Sequence, residues 1–552
     1  MIAGIHITEK SFGDKTLMKD VKFSVDDGEK VGVVGRNGVG KSTLFGILSG
    51  KDTDYTGEVI FRRGITIATT AQEHHGLGDQ TVMSYILGGL PEYSKLKKII
   101  DEYPLTMGDN MRKIEEYTQA LERFDQKGFY QVEEKIEREL SNFQLDGYGN
   151  RKISSLSGGQ KRLVEIVKIM HSEAHLALID EPTNHMDYVA KQQFIDWMNS
   201  QPHQAMLIIT HDRDVLGQVD RIVEIKDGQA VSYRGNYDAY LKQNAQATTA
   251  GMNNFEQIEK RIVNLKQKVL DYQRLKEKSR NPGTIQKFKR LENEARAELA
   301  ELSEMEKPTF WIDKESASQL DYKSAERYGK FKSRNIRLSM KDASSRSQHV
   351  LVRAENVAVG IGERILFEDV NIDLREGEAI EIRGRNGAGK TTLIRMILAS
   401  GKSFDGGPVL YSGDIFLDPQ VRIGVYEQEI DERYLSDPLE KAIEKLYMSR
   451  DLSISDTKIR QLLADYLFTD ADRMTPLARL SGGQKARFQI IAMLANDPQL
   501  LVLDEPTNHL DLPSIEELET ALVKYSGAIL YVSHDNYFRE KLGGKVVQIG
   551  AE

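Results

Sequence analysis

Gly35-Arg-Asn-Gly-Val-Gly-Lys41-Ser42 and Gly384-Arg-Asn-Gly-Ala-Gly-Lys390-Thr391 are one glycine-rich loop written twice, 349 residues apart. Each follows a short apolar run, Val31-Gly-Val-Val34 or Ala379-Ile-Glu-Ile382, and opens a helical pattern beginning Ser42-Thr-Leu-Phe or Thr391-Thr-Leu-Ile. Strand, loop and helix N-terminus in that order surround a triphosphate. The loop's free N–H groups point at the phosphates, the Lys reaches the outer ones, and the hydroxyl ligates Mg²⁺. The candidate nucleotide-binding residues are therefore Gly35, Asn37, Gly38, Gly40, Lys41, Ser42 and Thr43, with Gly384, Asn386, Gly387, Gly389, Lys390, Thr391 and Thr392. An ordinary glycine-rich turn lacks this context.

The same further motifs follow each loop in the same order. After the first come Gln72, Ser157-Gly158-Gly159-Gln160, Asp180-Glu181-Pro-Thr-Asn184-His185-Met186-Asp187 and Thr210-His211-Asp212. After the second come Gln428, Ser481-Gly482-Gly483-Gln484, Asp504-Glu505-Pro-Thr-Asn508-His509-Leu510-Asp511 and Ser533-His534-Asp535. Ser to Glu is 24 residues in both halves, and Glu to His is 30 and 29. Such agreement marks two copies of one α/β nucleotide-binding domain.

The acidic pairs end apolar runs, Leu176 to Ile179 and Leu500 to Leu503, which read as buried strands. Asp180 and Asp504 are placed to hold Mg²⁺ together with Ser42 and Thr391, and Gln72 and Gln428 are counted with both metal and nucleotide. Glu181 and Glu505 stand where an attacking water needs polarising. His211 and His534 follow the strands Met206 to Ile209 and Ile529 to Val532, where a γ-phosphate would lie at the carboxyl edge of the sheet. In each Ser-Gly-Gly-Gln element the Ser caps a helix whose N-terminus faces an anion. Each domain already has one phosphate cradle, so this second one is expected to serve nucleotide held by the other domain.

With these residues the chain resembles the ATP-binding cassette superfamily, and because Glu-Pro-Thr-Asn-His-Met/Leu-Asp stands in both halves it resembles specifically the ABC-F family. The resemblance takes in essentially the whole chain and implies two P-loop ATP-binding cassette domains in tandem, joined by an α-helical coiled-coil hairpin linker. It implies that ATP is clamped head to tail, Ser481 to Gln484 completing the site on Lys41 and Ser157 to Gln160 the site on Lys390. Met186 replaces the family's Leu, a volume-conserving exchange. The family's adenine-stacking aromatic falls on Phe12, but the second half has Ile361 there, which lacks a π face.

Composition bounds the rest. The 552 residues allow two cassettes, 1–240 and 350–552, with a linker at 241–349. There is no Cys, hence no disulfide framework, and no apolar run long enough to span a membrane. A soluble cytoplasmic chain is expected, monomeric, with an intramolecular cassette dimer. Net charge is −9, yet residues 241–350 hold 23 Lys and Arg against 15 Asp and Glu, a surplus of 8. The linker, not the cassettes, is thus the expected nucleic-acid contact.

Within the linker Phe255, Ile258, Ile262, Leu265, Val269 and Tyr272 step by threes and fours, an a/d seam. A breaker at Asn281-Pro282-Gly283 precedes Ile285, Phe288, Leu291, Ala295, Leu299 and Leu302, predicting an antiparallel hairpin with a first helix of about 25 residues, or about 37 Å. Arg274, Lys276, Lys278, Arg280, Lys287, Lys289 and Arg290 make its tip basic, against Glu277 alone. A second basic stretch runs from Lys323 to Arg346. The first half also carries about 32 extra residues between Gln72 and Ser157, expected as a helical hairpin within 90–140 broken at Pro104 to Asp109.

The resemblance implies an ATPase that binds the ribosome when ATP closes the cassettes. Its linker would act near the P-site tRNA and the peptidyl-transferase region, touching rRNA and tRNA, and hydrolysis would release it. A translation factor is the leading reading, and an antibiotic-resistance protein that protects the ribosome is the alternative. An ATPase subunit of a membrane transporter is the rival from another class, disfavoured by the basic hairpin, and a DNA-acting ATPase the third.

Overall fold

The apolar runs beside each loop become neighbouring parallel strands. In the first cassette the sheet order is Ile67–Thr69, Leu176–Asp180, Ala205–Ile209, Lys30–Val34 and Arg221–Lys226, all parallel, with Gln229–Arg234 antiparallel at the edge. In the second it is Ile423–Tyr426, Leu500–Asp504, Ala528–Val532, Ala379–Arg383 and Lys545–Gln548, parallel throughout. The computed structural model describes every residue except 14, 71–78, 109, 185, 305–310, 312, 314–315, 318–321, 333–334, 339–348, 363, 403–406, 428–429 and 551–552. Gln72, Gln428, His185 and much of the second basic stretch therefore lie outside the described residues.

The central strands are buried along their whole length because both faces are covered. Alternation sorts the side chains. Leu176 and Leu178 join the helix Lys41–Leu48 and the antiparallel strands Ala3–Phe12 and Lys15–Val25, whereas Ala177 and Ile179 join Ile136 and Ile166 in helices across the sheet. Leu500 and Val502, against Leu501 and Leu503, repeat that division. Truncating one such Leu to Ala costs about 2–5 kcal/mol. Phe12 and Ile361 each end the middle strand of a three-stranded antiparallel sheet, so pairing them by sequence offset matches the topology.

The extra interval of the first cassette contains the antiparallel helices Tyr93–Thr106 and Met111–Gln126, followed by Val132–Asn142. Leu96 and Phe124 are buried in the cassette core, while Leu105 and Met111 at the far end are 86% and 77% exposed. The break differs from expectation. The helix runs through Pro104 to Thr106; Gly108 then takes φ 46° and Asn110 caps the next helix. Near a helix end Pro forfeits one hydrogen bond without ending the last turn.

The two cassettes form one compact unit, and Asp238–Asn335 form another. Ile336 already belongs to the core of the second cassette. In the linker unit the hairpin is antiparallel as expected, with Leu265, Val269 and Ala295 buried together, Tyr272 stacked on Phe288 at 6.4 Å, and Arg261 paired with Glu298. Its first helix is longer than the seam suggests. It spans Tyr237–Lys278, 42 residues, or about 63 Å at 1.5 Å per residue. No Pro interrupts residues 237 to 254, and Met252 is buried with Tyr328 and Phe331 beside Phe255, which extends the packed face below the seam. Pro282 opens the second helix, Pro282–Glu304, rather than separating it from the first, a position where its missing N–H costs nothing.

Candidate active sites

Each glycine-rich loop leaves its strand and turns into the helix at Gly40 or Gly389, at φ 103° and 98°. A Cβ on Gly40 would meet Leu17 at 2.7 Å. The positive φ therefore favours glycine, and a side chain there would also have to displace Leu17. Lys41 Nζ donates to the carbonyls of Gly35 and Arg36 at 2.7 and 3.2 Å, and Lys390 Nζ to those of Gly384 and Arg385 at 2.8 and 3.1 Å. Burial lowers the pKa of both ammoniums, against the pull of Glu181 and Glu505 respectively. A phosphate oxygen would supply a better partner than a carbonyl already engaged.

Ser42 Oγ donates to Asp180 Oδ2 at 3.1 Å, and Thr391 Oγ1 to Asp504 Oδ2 at 2.7 Å. Hydroxyl and carboxylate are all-oxygen donors, the set that Mg²⁺ prefers. Among the described residues no group of three or more His, Asp or Glu gathers on a metal position. The next residues, Glu181 and Glu505, lie at φ 47° and 52°. Burial raises both carboxyls to about 7, although Glu181 keeps 21% of its side chain exposed and Glu505 only 6%.

Beyond them, His211 Nε2 lies 3.6 Å from Glu181 Oε1 and His534 Nε2 3.3 Å from Glu505 Oε1. Burial, aided by Lys41 or Lys390, pulls both imidazoles down to about 3, so these are neutral rings beside carboxyls rather than ion pairs. The backbone N–H of His534 donates to Glu505 Oε2 at 3.1 Å, while Glu505 Oε1 has no hydrogen-bond partner among the described residues. An unengaged buried oxygen facing a phosphate loop is a place for a water.

Both Ser-Gly-Gly-Gln elements form capping boxes, Ser157 with Gln160 and Ser481 with Gln484, at the starts of Gly158–His171 and Gly482–Leu494. The second element lies against the other cassette's loop. A Cβ on Gly483 would fall 2.1 Å from Asn37 Nδ2, which donates to the carbonyl of His509 at 2.9 Å. Two further groups come from the opposite cassette: Asp511 Oδ2 accepts from the N–H of Asn37, and Asp187 Oδ2 from that of Asn386, each at 3.1 Å. One continuous cavity of about 1650 Å³ joins both sites, walled by Phe12, Lys41, Ser157 and Glu181 together with Ile361, Lys390, Ser481 and Glu505. Gly35, Gly384 and Gln484 are outside its wall; Gly384 packs against the carbonyl of Ile549 and Gln484 holds Asp472.

Asp187 and Asp511 end the acidic motif in both halves, but nothing in their spacing gives them a role. Each is an N-cap whose carboxylate binds two backbone N–H groups, one in its own helix and one across the interface. Arg162 is likewise silent in the sequence. It donates to the carbonyls of Asp180 and Glu181, whereas Ala486 stands at the same place after the second Ser-Gly-Gly-Gln element.

Residues 18–184 and 367–508 each match the family described as ABC transporter, and each match contains a loop, a Ser-Gly-Gly-Gln element and an acidic pair. ABC transporter F family member 2 of Arabidopsis thaliana is 29% identical over 98% of this chain and 75% of its own length. The chain belongs to the ATP-binding cassette family, as an ABC-F ATPase. Other relatives of this ABC-F chain are the Energy-dependent translational throttle protein EttA of Mycobacterium tuberculosis and the Ribosome protection protein VmlR of Bacillus subtilis. Both are 27% identical over 96% of the chain, covering 88% and 83% of their own lengths. None of the ABC-F chain's described helices is long and apolar enough to cross a membrane.

Proposed function

We propose that the two cassettes close on ATP, that closure lets the chain bind the ribosome, and that hydrolysis reopens it. The observation that carries this is the placement of Gly483 and Asp511 against Asn37, with Asp187 against Asn386. Neither loop has its full set of partners within its own cassette, so a triphosphate that both cassettes touch favours the closed state over the open one.

Within a closed site, Lys41 or Lys390 turns from the loop carbonyls to the outer phosphates, and the loop N–H groups hold the rest. Ser42 with Asp180, and Thr391 with Asp504, would hold Mg²⁺, which supplies charge neutralisation across the phosphate oxygens. Glu181 and Glu505 orient the attacking water and accept its proton. His211 and His534, neutral, donate toward the γ-phosphate. Ser157 and Ser481 with their glycines present a helix N-terminus to the nucleotide of the opposite cassette. Gln72 and Gln428 complete the proposal on motif grounds.

The ribosomal partner is supported by the names of EttA and VmlR and by the exposed cations of the hairpin. The linker is the element we assign to rRNA and the P-site tRNA. The decisive experiment is sedimentation of the Glu181→Gln, Glu505→Gln double variant with ribosomes in ATP. Removing both bases traps the closed form, so the variant pellets with ribosomes in ATP but not in ADP; a variant left in the supernatant overturns the proposal. The similarity to VmlR favours ribosome protection as a second reading. A change in drug sensitivity between cells with and without the protein would separate it from a general translation factor.

A further inference from the structure

The interface between the cassettes carries a buried ionic cluster on one side of its pseudo-twofold axis, and that cluster grips the second site. Lys191, in the helix Tyr188–Ser200, is 4% exposed; it pairs with Asp214 and lies 3.4 Å from Asp212. The same ammonium crosses the interface to donate to the carbonyl of His534 at 2.9 Å. Asp214 in turn accepts from Asn536 Nδ2 at 2.7 Å, in the helix that His534 leads into. Beside them Arg213 pairs with Glu519 at 2.8 Å, both buried, with its guanidinium over the ring of Tyr537.

The mirror-image positions cannot repeat these contacts. Lys191 stands ten residues after Glu181; ten after Glu505 stands Ile515. Asp214 stands three after His211; three after His534 stands Tyr537. Glu519 stands fourteen after Glu505; fourteen after Glu181 stands Ile195. Ile515 and Ile195 are both buried. An aliphatic side chain offers no donor to the carbonyl of His211.

The backbone of His534 is thus held on both sides of its Cα. Its carbonyl accepts from Lys191 and its N–H donates to Glu505 Oε2 at 3.1 Å. A buried ammonium loses solvation and is retained only where its partners fix it. Here they fix it on the backbone that aims both the His and the Glu of the second site.

We infer that Lys191 is a positioning residue for the second ATP site alone, supplied by the first cassette. The inference rests on the assignment of Glu181 and Glu505 as the two bases. The two sites are then unequal by construction. The second assembles only when Lys191 reaches it, while the first has the backbone of its acidic pair held by Arg162 of its own cassette.

The test measures single-turnover hydrolysis of ATP in full-length protein. Glu181→Gln leaves the second site to be read, and Glu505→Gln leaves the first. Lys191→Met added to Glu181→Gln should slow hydrolysis about tenfold; added to Glu505→Gln it should leave the rate within twofold. Lys191→Arg, which keeps the charge and a donor for the carbonyl, should restore the second site to within threefold. Equal slowing at both sites, no slowing at either, or no rescue by Arg overturns the inference. If neither Gln variant alone reduces total turnover, the base assignment fails instead, and the two failures are told apart. An unchanged melting temperature of Lys191→Met separates positioning from loss of fold.

Discussion

Glu181 and Glu505 sit at positive φ, a conformation that costs a non-glycine residue of order 1–3 kcal/mol and persists only where neighbours enforce it. The enforcing contacts are their own N–H groups, bonded to the carbonyls of Ile209 and Val532 at 2.7 and 3.0 Å. These bonds turn each carboxyl out of the sheet toward the loop. The motif carries the proposal of which residue acts, but not this twist, because φ leaves no mark on residue identity. The raised carboxyls give a pH prediction. In the proposed role as base each must be ionised, and in the free protein burial holds these groups protonated up to about 7. The ratio kcat/KM, which reports the free enzyme, should fall as pH drops through about 7 and level off above it. His211 and His534, at about 3, add no limb in that range. A steady-state profile flat from pH 5.5 to 8 would contradict this.

Elements are legible in the sequence wherever periodicity dictates them. The strands beside the loops, the two hairpins and the helices that begin in the Ser-Gly-Gly-Gln elements follow from apolar spacing and Ser at the N-cap, whereas the Asp caps Asp187 and Asp511 do not. Helix length is not legible, because the polar first half of Tyr237–Lys278 has no seam and acquires its packing from Tyr328 and Phe331, more than seventy residues away. Pairing of charges is not legible either. Lys276 belongs to the basic tip by sequence, but it donates to Glu292 at 2.6 Å, and with Arg296 on the same carboxylate it ties the two helices together. Lys276 holds that carboxyl down at about 2, so the tie is complete above the ordinary carboxylate range and is lost as pH falls through about 2. The exposed cations of the tip are Arg274, Lys278, Arg280, Lys287, Lys289 and Arg290, the last paired with Glu294. Neutralising Lys278, Lys287 and Lys289 should lower the slope of log affinity for ribosomal RNA against log salt by about 0.7–0.9 for every phosphate they had neutralised, with basal ATP turnover unchanged. Lys276→Gln should instead leave the slope alone and speed amide exchange around 276 and 292. The reverse pattern would move the RNA-binding surface off the tip.

At the scale of the molecule the duplication is the organising fact, and its consequence is that a substitution in one cassette should disable the loop of the other. Gly483 provides the sharpest case. A methyl there would strike the amide of Asn37, 2.1 Å from Nδ2 and 2.8 Å from the amide carbon, and would come within 3.1 Å of the carbonyl of His509. The side chain of Asn37 could yield only by giving up its bond to that carbonyl, and with it the seam that joins the first loop to the second cassette. Gly483→Ala should therefore slow single-turnover hydrolysis at the site on Lys41 at least tenfold when read in the Glu505→Gln background. The site on Lys390, in the same cassette as the substitution, should change less than threefold when read in the Glu181→Gln background. Sites that were each complete within their own cassette would give the opposite ranking, slowing the site on Lys390 and sparing the one on Lys41.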